Sequence, residues 1–221
     1  MPHSLDWSRI DTVLLDMDGT LLDLHFDDYF WRHHVPERRA ARESMPVAAV
    51  REDLFRRYKK IEGTLDWYCV DHWSRELDLD IAALKREISH LIRVHPGVET
   101  FLAALHQGRQ RVLLVTNAHL KSLELKLEKT ELARFFDAVV SSHSLGAPKE
   151  SPDFWPRLQA LEPFDPARTL FVDDSLPVLQ SARSYGIAHL LTIRRPSSTG
   201  APRSSAEFPL LDSFADIVPI G

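Results

Sequence analysis

Asp16 and Asp18 stand one residue apart in Asp16-Met17-Asp18-Gly19-Thr20, directly after the apolar run Val13-Leu14-Leu15. Successive side chains of an extended chain point to opposite sides, so two such carboxylates share one site only if the chain turns after them. Gly19 permits that turn. One carboxylate can attack an electrophilic phosphorus while a metal ion screens its repulsion from the phosphate oxygens. The other can give a proton to the departing oxygen and later take one from water. The plainer reading of the same five residues is an acidic turn or a helix cap.

Three further pieces carry complementary chemistry. Thr116-Asn117 ends the run RVLLVT, where a hydroxyl and backbone N–H groups can hold phosphate oxygens; a simple turn closed by the Thr hydroxyl is the alternative. Lys149, in Gly146-Ala147-Pro148-Lys149-Glu150-Ser151-Pro152, can pair with a phosphate and with the attacking carboxylate, or be a solvated surface charge. Asp173-Asp174 closes TLFVDD. Adjacent carboxylates repel unless a cation relieves them, and magnesium favours a few carboxylates with water and phosphate oxygens; a capped helix start is again the plainer reading.

The elements that must position these pieces are legible in outline. Val13-Leu14-Leu15, Arg111 to Thr116, Ala138 to Ser141, Thr169 to Val172 and His189 to Ile193 are short, aliphatic or β-branched, and closed by polar residues, as fully buried parallel strands are. Helical stripes lie between them, at Gly97 to His106 with Gly108 as a cap and at Leu176 to Tyr185 before Gly186. Ser151-Pro152 reads as the start of another helix. The alternation predicts an α/β fold with a parallel sheet, and every chemical piece falls after a predicted strand. Ligands of open α/β sheets bind beyond the carboxyl ends of the strands, so the four pieces converge on one edge. From Leu24 to His95 no strand is expected. Arg51 to Ile61, Leu65 to Leu77 and Ile81 to Ile92 read as helices, and His95-Pro96-Gly97 marks the return. The division that follows is 1–23 with 96–221 as a core and 24–95 as an inserted helical unit. Pro196 to Ala206, PSSTGAPRSSA, reads as a mobile connection, with a cover over the site as the alternative.

Composition narrows the class. The 221 residues carry a formal net charge of −5, so general attraction to nucleic acid or anionic membrane is not expected. A single cysteine, Cys69, excludes an internal disulfide. No signal peptide is legible and no run approaches a membrane span, which makes the cytoplasm the expected location. Oligomeric state is not readable.

The order DxDGT, Thr, Lys, Asp-Asp resembles the haloacid dehalogenase-like hydrolase superfamily, from Ile10 to about Ile193. The resemblance implies a Rossmann-like parallel-sheet core with an inserted α-helical cap. It implies Asp16 as nucleophile and Asp18 as general acid/base, with Thr116 and Lys149 binding and neutralising the phosphoryl group. Magnesium would sit on the Asp16 carboxylate, the Asp18 backbone carbonyl and an aspartate of the Asp173-Asp174 pair; we favour Asp174 as the direct ligand with Asp173 outside it, a choice the sequence leaves open. An acid at position 18 and a metal site favour phosphoryl chemistry over dehalogenation. Proline usually follows the family's lysine directly; here Glu150-Ser151 intervene.

The strings LLDMDGTLLDLHFDDYFW, TLDWYCVDHWS and TLFVDDS resemble more narrowly a bacterial purine nucleotidase branch acting on GMP and IMP. The implied substrate is a small phosphorylated metabolite, a purine nucleoside 5′-monophosphate. Trp67 and Tyr68 are then candidates to stack on the base, and Asn117 with Lys149 to hold the phosphate; core packing is the alternative for the aromatics. Asp23 and Asp27-Asp28 are expected to cap helices or order the hinge. Two other readings stand beside this one: the same chemistry on a sugar or flavin phosphate, including transfer as a mutase, and a phosphate-binding protein without catalysis.

Overall fold

A strand covered on both faces has no polar face, and the sheet of this chain shows what that requires. The computed structural model describes residues 5–219. Strands β1 (Thr12–Leu15), β2 (Arg111–Thr116), β3 (Ala138–Ser141), β4 (Thr169–Val172) and β5 (His189–Ile193) coincide with the five apolar runs. A two-residue strand, β6 (Leu210–Leu211), extends the sheet and carries too little pattern to be read from sequence. The order is β3-β2-β1-β4-β5-β6 and every pairing is parallel. This is the Rossmann-like sheet expected.

Alternate residues of the strands enter two apolar clusters. Val13, Leu15, Val112, Leu114, Leu170 and Val172 belong to one, with Phe101, Leu102 and Leu105 of α7 (Val98–Gln107). Leu14, Leu113, Val115 and Phe171 belong to the other, with Phe154, Trp155 and Leu158 of α10 (Phe154–Leu161) and Val178 and Leu179 of α11 (Leu176–Tyr185). Burial on both faces is why these strands read as unbroken apolar runs.

Between β1 and α7 the chain is helical: α1 (His25–Tyr29), a π-helical turn (Phe30–His34), α2 (Val35–Glu43), α3 (Val47–Ile61), α4 (Leu65–Tyr68), α5 (Val70–Leu77) and α6 (Ile81–Glu87). The single helix expected over Leu65 to Leu77 is broken at Cys69, whose backbone is extended (ψ 110°) and whose Sγ accepts from His72 N, capping α5. Entry and exit of this segment run side by side: Asp23 N donates to Arg93 O (2.9 Å) and His95 N to Leu21 O (2.9 Å). Its buried side chains, among them Phe26, Phe30 and Trp73, are continuous with the first apolar cluster. Helices α8 (Leu120–Thr130) and α9 (Ser142–Leu145) complete the set. The helix expected from Ser151-Pro152 begins at Phe154 instead. Residues 148–153 form turns, with Ser151 N bonded to Pro148 O (2.9 Å). No helix among the described residues is long and apolar enough to cross a membrane.

Phe101 is wholly buried against Phe214, with ring centroids 5.0 Å apart. Phe101→Ala should cost about 3–5 kcal/mol in a denaturant titration. Leu161→Ala, at a side chain left exposed, should stay within about 0.5 kcal/mol.

Candidate active site

The backbone carries β1 one residue past its last ladder position, with Asp16 N donating to Val172 O of β4 (3.0 Å). That places Asp16 level with Asp173, at the point where strand order departs in opposite directions from β1. A tight turn follows: Gly19 N donates to Leu22 O (2.7 Å), and Leu21 N and Leu22 N both donate to Met17 O. Gly19 holds φ +83°, and a Cβ there would meet the Asp174 carboxyl at 2.7 Å. The turn can approach Asp174 only with glycine at this position.

Lys149 stands in the middle. Its Nζ, buried, lies 2.5 Å from Asp16 Oδ1, 2.6 Å from Asp173 Oδ2 and 3.1 Å from Val115 O. Burial works against its charge, but the two carboxylates outweigh that and raise its pKa. Asp16, Asp173 and Asp174 each offer an oxygen within 4.8 Å of the others. Burial, and after it the Lys149 and Asp16 charges acting in opposite senses, leave Asp173 well above the usual carboxylate range. Burial, then the Asp16 charge, pushes Asp174 up to about 7. Crowded acids that resist ionisation form an all-oxygen donor set suited to a hard divalent cation.

The two aspartates after β4 differ. Both oxygens of Asp173 are engaged, Oδ2 by Lys149 and Oδ1 by Ser175 N (2.8 Å). Asp174 accepts from Arg203 at Oδ2 (3.1 Å) and at its carbonyl (2.7 Å). Arg203 comes from the stretch read as a mobile connection. That stretch is instead tied down: Ser198 N donates to Asp23 Oδ1 (2.9 Å) and Leu24 N to Pro196 O (2.9 Å), while His95 Nε2 lies 3.1 Å from Pro196 O. Asp23 also caps toward His25 N (2.9 Å), the ordering role expected of it.

Thr116 and Asn117 lie at the end of β2, both buried. Thr116 Oγ1 accepts from Ala118 N (3.0 Å), which shapes the turn. The Asn117 amide is committed to the lysine loop: its Oδ1 accepts from Lys149 N (2.9 Å) and its Nδ2 donates to Glu150 Oε2 (2.9 Å). The other oxygen of Glu150 accepts from the Tyr68 hydroxyl (2.5 Å). Burial and the Glu150 charge push the Tyr68 phenol far up, so it stays a donor. Tyr68 thus reaches the lysine loop, whereas Trp67 packs edge-on against Tyr58 (5.6 Å) and its carbonyl accepts from Trp73 Nε1 (3.0 Å). Glu150 had a sequence signal, because it is one of the two residues that separate Lys149 from Pro152.

Asp18 is paired with Lys126 of α8, Nζ 2.7 Å from its Oδ1. Burial first, with Lys126 opposing it, pushes the Asp18 carboxyl up to about 6. Lys126 Nζ also bonds Asp27 Oδ2 (2.6 Å), and Asp27 Oδ1 accepts from Lys85 of α6 (2.7 Å). Asp27 makes no helix-capping bond; its carboxylate instead ties α6 to α8 near the start of the helical segment, within a partly buried ion ladder. The signal for both lysines was their place on an apolar stripe: Lys126 shares the buried face of α8 with Leu123, and Lys85 that of α6 with Ile81.

Comparison with known proteins agrees with this geometry. The family described as haloacid dehalogenase-like hydrolase matches residues 10–186. The GMP/IMP nucleotidase YrfG of Escherichia coli (strain K12) is 39% identical over 220 residues, covering 99% of each chain. A phosphoglycolate phosphatase of Nitrosospira multiformis is 33% identical over 186 residues, 80% of each chain. The solved HAD phosphatase from Thermococcus onnurineus shares the fold, with a TM-score of 0.75 at 22% identity over 93% of this chain and 94% of that one. With a match spanning most of its length and the four motifs gathered at one sheet edge, the chain belongs to the haloacid dehalogenase-like hydrolase family.

Proposed function

We propose that this chain is a phosphomonoesterase that cleaves purine nucleoside 5′-monophosphates through a phosphorylated Asp16. The observation that carries the phosphatase reading is the buried Lys149 ammonium held between Asp16 and Asp173 beside Asp174. Such a cluster can accept a phosphate dianion only if cations offset the carboxylates. The purine reading is supported by the full-length likeness to the GMP/IMP nucleotidase. Resemblance to a phosphoglycolate phosphatase favours a second reading, the same chemistry on a small carboxylated phosphate.

In this reading an Asp16 oxygen attacks phosphorus in line with the ester oxygen. The P–O ester bond breaks as the Asp16–phosphorus bond forms, and Asp18 gives its proton to the leaving alkoxide. Water then attacks phosphorus as the Asp16–phosphorus bond breaks, Asp18 takes a proton from that water, and inorganic phosphate leaves with the Asp16 carboxylate restored. A carboxyl raised to about 6 exchanges a proton readily near neutral pH. Lys149 neutralises phosphate charge, and Asn117 holds the Lys149 loop in register. A magnesium ion would be held by Asp16, the Asp18 carbonyl and Asp174, and would supply charge neutralisation. The saturation of both Asp173 oxygens by protein donors supports Asp174 as its direct ligand. The helical segment 24–95 acts as a cap over this edge, joined to 1–23 and 96–221 by the paired entry and exit. Tyr68 and Trp67 are its candidates for contact with the base, Tyr68 through its tie to the lysine loop.

Asp16→Asn should lower phosphate release by at least about a thousandfold while the far-UV circular-dichroism spectrum of the folded chain is retained. Retained turnover would remove Asp16 as nucleophile. Phosphate release across nucleoside monophosphates, phosphoglycolate, sugar phosphates and flavin mononucleotide should favour GMP and IMP; preference for phosphoglycolate would move the assignment to the second reading. Trp67→Ala should raise KM for GMP several-fold more than KM for a simple aryl phosphate, and an equal rise on both would assign Trp67 to packing alone.

A further inference from the structure

Two lysines of this acidic chain are almost entirely buried outside the Lys149 cluster, and both belong to one ladder. Its members alternate in sign: Asp18, Lys126, Asp27, Lys85, with successive N···O distances of 2.7, 2.6 and 2.7 Å. They come from four separate elements: the turn after β1, helix α8, helix α1 and helix α6. Aromatic faces close what the carboxylates leave open. Lys85 Nζ lies 4.5 Å from the Phe30 ring centroid and 5.0 Å from that of Phe26, and Lys126 Nζ lies 5.3 Å from Phe26. No other acid or base forms an ion pair with these two lysines among the described residues.

Buried ion pairs are poor sources of stability, because taking charges out of water offsets most of their attraction. What a ladder of this kind does supply is fixed geometry. Lys126 engages Oδ1 of Asp18 and no protein group is hydrogen-bonded to Oδ2 among the described residues. One oxygen is pinned and the other is left to carry the proton. Asp27 holds Lys126 from behind, and Lys85 neutralises Asp27 so that the pull on Lys126 stays balanced.

We propose that Lys126 is a positioning residue for Asp18, held in place by Asp27 and Lys85, and that it is needed where the leaving group requires a proton. The proposal rests on the phosphatase reading above. Departure of a nucleoside alkoxide needs a well-placed acid; departure of a dinitrophenolate, a far weaker base, does not. A residue that aims Asp18 should therefore matter for the first and not for the second, whereas a merely structural lysine should affect both alike.

The test is single-turnover kinetics of Lys126→Met on GMP and on 2,4-dinitrophenyl phosphate, with magnesium present. The expected result is a fall of about a hundredfold in the rate constant for GMP cleavage, with the rate constant for dinitrophenolate release within about threefold of the parent protein. Equal losses on both substrates, or no loss on GMP, would overturn the proposal. If the melt shows that Lys126→Met does not fold, Asp27→Asn carries the same test. It frees Lys126 without touching Asp18, and should lower GMP cleavage about tenfold with the rate constant for dinitrophenolate release retained; an Asp27→Asn rate equal to the parent on GMP would sink the proposal. A parent protein that releases phosphate from neither substrate overturns the phosphatase reading itself, a different outcome from an active parent with an indifferent variant.

Discussion

One ammonium group, Lys149 Nζ, keeps Asp16 and Asp173 together at a place where two carboxylates would otherwise drive each other apart. Everything around it serves that contact. The lysine reaches inward from the loop after α9, donates to the Val115 carbonyl at the end of β2, and has its own N–H tied to Asn117. Three strand ends and one loop thus meet on a single charge. In a burial this complete, neither the ammonium nor its partners would keep their places if one were removed.

That meeting point is a consequence of topology. In a sheet ordered β3-β2-β1-β4-β5-β6 the chain leaves β1 with β2 on one side and β4 on the other, and the crossovers that follow run outward in opposite directions. The crevice between them lies beyond the carboxyl ends of the strands. Asp16, Asn117 and Asp173 sit one residue past the ends of β1, β2 and β4, so each backbone turns outward just where its side chain is needed. Gly19 completes the crevice by letting the first turn press against Asp174.

How much of this was legible depends on whether the signal is local. The five longer strands were, because burial on both faces writes itself as an unbroken apolar run. The motif aspartates, Lys149 and the helical insertion were also legible, the first two through their order along the chain and the third through a change of period. Contacts between distant parts were not. Asp27 meets Lys126 across 99 positions and Lys85 across 58; the apolar stripes mark both lysines as out of place, but nothing local names Asp27 as their partner. Arg203 sat in a stretch whose composition argues for mobility, yet backbone contacts to Asp23, Leu24 and His95 fix its course. Cys69 broke a helix that periodicity alone would continue, since a thiol accepting the His72 N–H makes a cap that propensity does not encode.

The two buried ion clusters meet at Asp16 and Asp18, and their charge balances differ in a way that suits their positions. Asp16, Asp173 and Asp174 face Lys149 and the rim guanidinium of Arg203, which leaves a formal excess of negative charge. The ladder of Asp18, Lys126, Asp27 and Lys85 is formally neutral. A cation is drawn to the first cluster and has little to gain from the second, so charge can be added at the strand ends without displacing the acid beside them. The reverse arrangement, with Asp18 unpaired, would leave its carboxylate free to turn toward a cation at the first cluster. Separating the group that moves a proton from the groups that gather charge is a condition of the proposed reaction. Here it is met by giving each carboxylate after β1 its own lysine, one from a loop of the sheet edge and one from the face of a helix.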